Sequence, residues 1–189
     1  MAFLLSAIRL FLCAEETGFF AMFFNWGSHG FNTMAKRCRG PHSMKTVHKS
    51  VLIWYSAEEM FALVTDVDRY AEFLPWCDQA RILERFDDGV SAEVGIAFSG
   101  LRQSFVTRNV HVEGREVGLE LVKGPFSSLH GRWVFAPVGD AAARACRVDL
   151  TLAYSFDNAA LATLVGPVFD RIAGSLVDAF VKRAEQVYK

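Results

Sequence analysis

The sequence predicts an α+β chain: a curved antiparallel sheet of about seven strands wrapped around one long C-terminal helix, with two short helices after the first strand. Three observations carry this. The stretch VLIWYSAEEMFALVTDVDRYAEFLPWC, from Val51 to Cys77, reads as a strand, a capped helix, a second short helix and an aromatic turn. From Ala80 to Phe156 hydrophobicity alternates with period two, broken at glycine-containing turns. From Asn158 onward the period lengthens to that of a helix and one apolar stripe runs to the end of the chain.

The first strand spans Thr46 to Trp54. Ser56 follows, with Glu59 three residues later, the spacing of a capping box. Met60, Phe61, Leu63 and Val64 then recur at helical spacing, giving a helix over Ala57 to Thr65. Asp66 and Asp68 can cap a second helix, Asp68 to Phe73, with Tyr70 and Phe73 facing one way until Pro75 stops it.

Ala80 to Phe86 is the second strand, and Asp87-Asp88-Gly89 is a strong hairpin signal. Val90 to Ser99 sets Val90, Ala92, Val94, Ile96 and Phe98 on one face. Gly100 turns the chain into Leu101 to Val112, and Glu113-Gly114-Arg115 turns it into Glu116 to Val122. After Gly124-Pro125, Leu129, Gly131, Trp133 and Phe135 share a face. The last strand alternates Val148, Leu150, Leu152, Tyr154 and Phe156 against polar or small residues. Such alternation describes a sheet with one dry face and one wet face.

The final helix is capped by Asp157 or Asn158. Leu161, Leu164, Val165, Val168, Phe169, Ile172, Leu176, Phe180 and Val187 trace its apolar stripe. Pro167 lacks an amide donor and is expected to kink or divide the helix after Gly166. Beyond it about twenty residues reach roughly 30 Å, enough to cross the sheet.

With 52% hydrophobic and 22% charged residues the chain is not disordered, and its 189 residues suit one domain. The net charge of −1 is unevenly spread: residues 44–189 carry −3, which gives no global pull on DNA or anionic lipid. Cys13, Cys38, Cys77 and Cys146 form no CxxC, so free thiols in a reducing compartment are expected rather than a metal site. Residues 1–43 hold seven of the seventeen phenylalanines but no apolar run of spanning length. Arg9 interrupts the first such run, and no convincing signal-peptide cleavage site follows. They read either as an extension upstream of a natural start at Met44, disordered or not native, or as an amphipathic membrane tether. The cluster Lys36, Arg37, Arg39 reads as solvated linker charge. Residues 44–189 are expected to form one domain, with a ligand-binding role.

Catalytic motifs are missing: there is no GxSxG, HExxH, Walker lysine loop or GxGxxG. His48 and His111 lie on strands and His130 is expected to face solvent. Capping and turn formation explain Asp66, Asp68, Asp87 and Asp88 better than paired-carboxylate chemistry. The expectation is therefore a binding protein with no catalytic residues, no metal and no cofactor. One helix does not fill the concave side of a seven-strand sheet, which leaves an apolar cavity. Phe73-Leu74-Pro75-Trp76 is expected to set exposed aromatics on a loop at its rim.

Three separated blocks carry a resemblance: YAEFLPWC (70–77), GPFSSLHGRWVFAP (124–137) and GPVFDRIAGSLVDAFVKRAEQVY (166–188). Together they resemble the coenzyme Q-binding START-like family, whose bacterial members are also described as the ribosome association toxin family. The resemblance covers Met44 to Lys189 and implies the START-like helix-grip fold. It implies non-enzymatic binding of ubiquinone in support of respiration. The alternative it implies is a toxin-type inhibitor of translation that binds the large ribosomal subunit and blocks subunit association. A third reading is a polyketide cyclase-like enzyme, as in distant START-like relatives, which needs an inward acid or base. The partners are then ubiquinone, the large ribosomal subunit or the surface of a membrane, with no DNA. The location is cytoplasmic or peripheral to the inner membrane.

The residues expected to bind are Tyr70, Phe73, Leu74, Trp76, Phe98, Phe105, Phe126, Trp133, Phe169, Ile172, Leu176 and Phe180. Gln103, Thr107 and Asn109 share parity with Phe105, point inward and could hydrogen-bond a quinone carbonyl. Arg102 and Arg108, on the opposite parity, could join Arg81 and Arg85 in an outer basic patch. Trp76→Ala is expected to weaken binding without unfolding the protein, and Trp133→Ala to damage the core.

Overall fold

A computed structural model of the chain describes residues 44–98, 100–140 and 143–189. The expectations for residues 1–43, Cys13 and Cys38 included, lie outside the described residues. Seven strands, β1 (Lys45–Ile53), β2 (Cys77–Phe86), β3 (Gly89–Phe98), β4 (Leu101–Val112), β5 (Glu116–Lys123), β6 (Phe126–Pro137) and β7 (Cys146–Phe156), form one antiparallel sheet. Its order is β1-β7-β6-β5-β4-β3-β2, so β2 to β7 are a simple meander and β1 closes beside β7. Helices α1 (Ala57–Thr65) and α2 (Tyr70–Phe73), joined through a 3₁₀ turn at Val67–Arg69, follow β1, and α3 (Ala159–Val187) ends the chain.

The capping box forms. Ser56 Oγ accepts the Glu59 amide at 3.2 Å while a Glu59 carboxylate oxygen accepts the Ser56 amide at 2.8 Å. Arg144, before β7, donates its Nε to the same carboxylate at 3.0 Å, and the Tyr188 hydroxyl donates to the Glu59 carbonyl at 3.1 Å. The start of α1 is thus tied both to the β6–β7 connection and to the end of α3.

Asp66 and Asp68 do not act as caps. Asp66 makes no side-chain cap bond, and Asp68 instead accepts the Ile82 amide of β2 at 2.8 Å. β2 is an edge strand with free amides, so a nearby carboxylate finds a better partner there than at a one-turn helix. Pro167 does not divide α3, which runs unbroken through it, capped by Asn158 accepting the Leu161 amide at 2.9 Å. Pro167 is solvent-exposed, and Gly166 before it has no Cβ to meet the proline ring, which removes one steric conflict and leaves the one with the Thr163 carbonyl and its lost hydrogen bond.

The buried stripe of α3 is Val165, Phe169, Ile172, Ala173, Val177, Phe180 and Ala184. Leu164 and Val187, expected inside, are 69% and 45% exposed. The helix crosses the sheet on a narrower seam than the apolar pattern suggests. By length and composition α3 is the one described helix that could span a bilayer, but its apolar side is packed on the sheet. The core has two clusters, one around Leu74, Trp76, Phe126 and Phe169 and one around Phe61, Trp133, Phe135 and Phe180. Tyr70, Phe73 and Leu176 pack against both and join them.

Candidate functional site

Strand parity builds the site. On β3, Val94 and Ile96 face inward, and on β4 their neighbours are Phe105 and Gln103, with Thr107 opposite Ala92 and Asn109 opposite Val90. Leu119 of β5, Leu129 and Trp133 of β6, and Leu150 and Leu152 of β7 extend the same concave surface. Phe169, Ile172, Leu176 and Phe180 of α3 form the opposite wall, with Val67, Tyr70 and Trp76 closing one side. These walls enclose a cavity of about 90 Å³. No Asp, Glu, His, Lys or Arg lines it among the described residues.

The polar lining is sparse. The Tyr70 hydroxyl donates to the Val64 carbonyl at 2.6 Å, and burial pushes its phenol well above the ordinary range, so it stays protonated. Thr107 and Asn109 are 3% and 5% exposed, and Asn109 Oδ1 accepts no hydrogen bond. The aromatic packing centres on Phe180, whose ring lies 5.1 Å from Phe73, 5.3 Å from Tyr70 and 5.3 Å from Trp133.

Eight of the twelve residues expected to bind line this cavity: Tyr70, Trp76, Phe105, Trp133, Phe169, Ile172, Leu176 and Phe180. Phe126 lies beyond them, its ring 4.9 Å from Phe169, beside a smaller void shared with Gln103 and Phe105. Phe73 turns to an outer groove between α2 and α3, where the Arg183 guanidinium sits 5.3 Å from its ring and pairs with Glu72 at 2.5 Å. Leu74 is 1% exposed inside the core. The side chain of Phe98 lies outside the described residues.

The exposed aromatic rim is corrected. Leu74 and Trp76, at 1% and 8% exposure, are buried while Pro75 between them faces solvent. The Cys77 amide donates to the Leu74 carbonyl at 3.0 Å and the Ala97 amide to the Trp76 carbonyl at 2.8 Å, so the turn is bonded down onto β3 with alternate side chains inward. Trp76 lines both the cavity and the outer groove.

The outer basic patch also fails to form. Arg81 pairs with Glu93 at 2.6 Å, Arg102 with Asp78 at 3.6 Å, Arg85 with Asp68 at 4.0 Å and Arg108 with Asp88. Each cation meets a carboxylate that parity alone could not place. His130 is exposed and pairs with Glu120. Half-buried His111 packs edge-on against Phe61 at 5.8 Å, and burial lowers its pKa; it lines an outer groove rather than the cavity. Cys77 and Cys146 are buried free thiols, each pushed up to about 11, chiefly by burial, and so not reactive. Thr107 and Asn109 lie on the concave face, as their parity with Phe105 suggests, while Val67 and Ala173 line the cavity without having been named from the sequence. Val67 sits in a one-turn 3₁₀ helix and Ala173 is a small residue beside the apolar stripe of α3, so neither carries a period that marks it.

The family model described as Polyketide cyclase / dehydrase and lipid transport matches residues 53–181. Among curated relatives, the Ribosome association toxin RatA of Pseudomonas aeruginosa is 40% identical over 142 residues, covering 75% of this chain and 96% of that protein. Coenzyme Q-binding protein COQ10 homolog B, mitochondrial, of Xenopus laevis is 26% identical, covering 74% of this chain and 58% of that protein. Among solved structures, the Zhui aromatase/cyclase of a Streptomyces species superposes with a TM-score of 0.67 at 16% identity, over 78% of this chain and 97% of that one. That likeness speaks to the fold alone.

Proposed function

The chain belongs to the Polyketide cyclase / dehydrase and lipid transport family, and from that premise we propose that it is a non-enzymatic, toxin-type inhibitor of translation that binds the large ribosomal subunit and blocks subunit association. The observation that carries this reading is the identity shared with the Pseudomonas ribosome association toxin along nearly the whole of that protein. The cavity's size points the same way. At about 90 Å³ it is smaller than the roughly 150 Å³ apolar cavity that admits benzene, so an isoprenoid quinone enters only by displacing the walls. No Asp, Glu, His, Lys or Arg lines the cavity among the described residues, and the lining phenol of Tyr70 is given to the Val64 carbonyl, which leaves a cyclase little acid–base chemistry to use.

The residues 44–189 carry a net charge of −3 and the outer arginines are paired, so docking rests on short-range contacts rather than on counterion release. Binding should then weaken far less between about 50 and 200 mM salt than the 10³–10⁵-fold typical of proteins with many phosphate contacts. The test adds the full chain to separated ribosomal subunits and reads a sucrose gradient. The protein should migrate with the large subunit and deplete associated ribosomes. Protein left at the top of the gradient, with reassociation unchanged, overturns the reading. On this reading the protein works in the cytoplasm.

The apolar cavity favours a second reading, a hydrophobic ligand such as ubiquinone, in keeping with the name of the Xenopus relative. It would bring the protein to the periphery of a membrane. Organic extraction of the full chain from a quinone-producing host, read by mass spectrometry, should then yield stoichiometric quinone, and an empty protein counts against it.

A further inference from the structure

The two halves of α3 present different outer surfaces. Between Asp157 and Asp170 the chain carries no charged residue, and on the first half of the helix Ala159, Ala160, Ala162, Thr163, Leu164 and Pro167 are exposed. Leu164 is 69% exposed. On the second half Arg171, Ser175, Asp178, Lys182, Glu185 and Gln186 take most of the outer positions, as solvation requires. The uncharged half also withholds hydrogen bonds, because its one hydroxyl, on Thr163, donates to the Ala159 carbonyl at 2.9 Å. The surface continues onto the turn before β6. There the Asp157 amide donates to the Pro125 carbonyl at 3.4 Å, and Pro125 shares a small void with half-buried Val168. An outer helix face without charge or free donors marks a contact with something apolar.

We propose that the outer face of residues 159–168 rests in the interface of a lipid membrane, with Leu164 and Pro167 toward the acyl chains. Two features favour a bilayer over a protein partner. The face is built of small side chains and one leucine, with no aromatic or arginine anchor of the kind that carries protein interfaces. The chain also enters the domain at this end: Met44 is 57% exposed and Lys45 reaches to Gly166 of α3. The solvated cations Lys36, Arg37 and Arg39 precede Met44 in the sequence, and anionic headgroups attract such charges locally. Pro167 gives no amide to the Thr163 carbonyl, which still needs water, so the face stays at the hydrated boundary and does not cross the hydrocarbon. The contact holds whether or not a quinone is carried, and so goes beyond the ligand reading.

The test floats the full chain with vesicles of phosphatidylcholine and phosphatidylglycerol in equal parts. The native protein should rise with the vesicles, and Leu164→Glu should bind about tenfold more weakly while melting like the parent. Leu52→Glu, which removes a similarly exposed leucine from the other end of β1, should bind like the parent. Native protein that stays below the vesicles overturns the proposal, and so do equal losses in both variants, which would mean general apolar adhesion. A second measurement needs no variant: hydrogen exchange in the native chain should slow within residues 159–169 when vesicles are added and stay unchanged within 175–187. Slowing confined to other segments overturns the proposal. Leu164→Glu should still migrate with the large ribosomal subunit; loss of that migration with vesicle binding intact would assign the face to the ribosome instead. A protein that floats yet yields no quinone on extraction removes the ligand reading and leaves the membrane contact standing.

Discussion

Trp133 and Trp76 are both buried, at 2% and 8% exposure; the Trp133 ring packs against Phe135 and Phe180, and Trp76 belongs to the core cluster around Leu74 and Phe169. Trp133→Ala should cost about 3–5 kcal/mol in urea unfolding, the range for large aromatic truncations. Trp76→Ala should fall in the same range, because its loop is bonded onto β3 rather than exposed. A Trp76→Ala protein with native stability would restore the rim that the sequence suggested. Glu59 carries a pH dependence. The hydrogen bond from Arg144 holds its carboxyl below the ordinary range, against burial, which pushes it up. A depressed carboxyl stabilises the fold above its unfolded-chain value, and that contribution is lost as pH falls through the folded value. The urea midpoint should therefore decline below about pH 4.3, and Glu59→Gln should flatten that decline. An acid limb as steep in the variant as in the parent would assign it to other carboxylates.

Among the elements, α3 contains the clearest departure from local propensity. Proline inside a helix costs roughly 3 kcal/mol relative to alanine, partly offset because it restricts the unfolded chain. Pro167→Ala should accordingly stabilise the protein by about 2 kcal/mol, read by thermal melting. Loss of stability would mean that the exposed proline shapes the crossing of α3 over the sheet. The second tie at this scale is the Glu72–Arg183 pair, which fastens α2 to α3 over the Phe73 ring. Helix α2 is four residues long and would not persist without such partners.

For the whole molecule, the cavity and the ribosome-directed surface should be separable. Ala173, on α3, is 1% exposed and lines the cavity. Ala173→Leu should fill the space, raise the melting temperature and prevent uptake of small hydrophobic molecules while leaving cosedimentation with ribosomal subunits intact. Loss of ribosome binding in a folded Ala173→Leu protein would mean that the two activities share the cavity. Much of this architecture was legible in the chain. Period-two alternation set the inward parity of Val94, Phe105, Leu119, Trp133 and Leu150, and Ser56 with Glu59 set the start of α1. These are local signals: a strand's faces and a helix's cap depend on residues two to four apart. Other features depend on partners distant in the chain. The outer arginines were readable as exposed, but their carboxylates come from neighbouring strands and turns. Asp68 was readable as a cap until β2 presented a free amide. Local pattern alone is enough for the sheet, the helices and the choice of dry face. Packing alone decided that Trp76 turns inward and that Asn109 Oδ1 meets no donor, because burial and hydrogen-bond satisfaction are properties of the assembled core rather than of any segment.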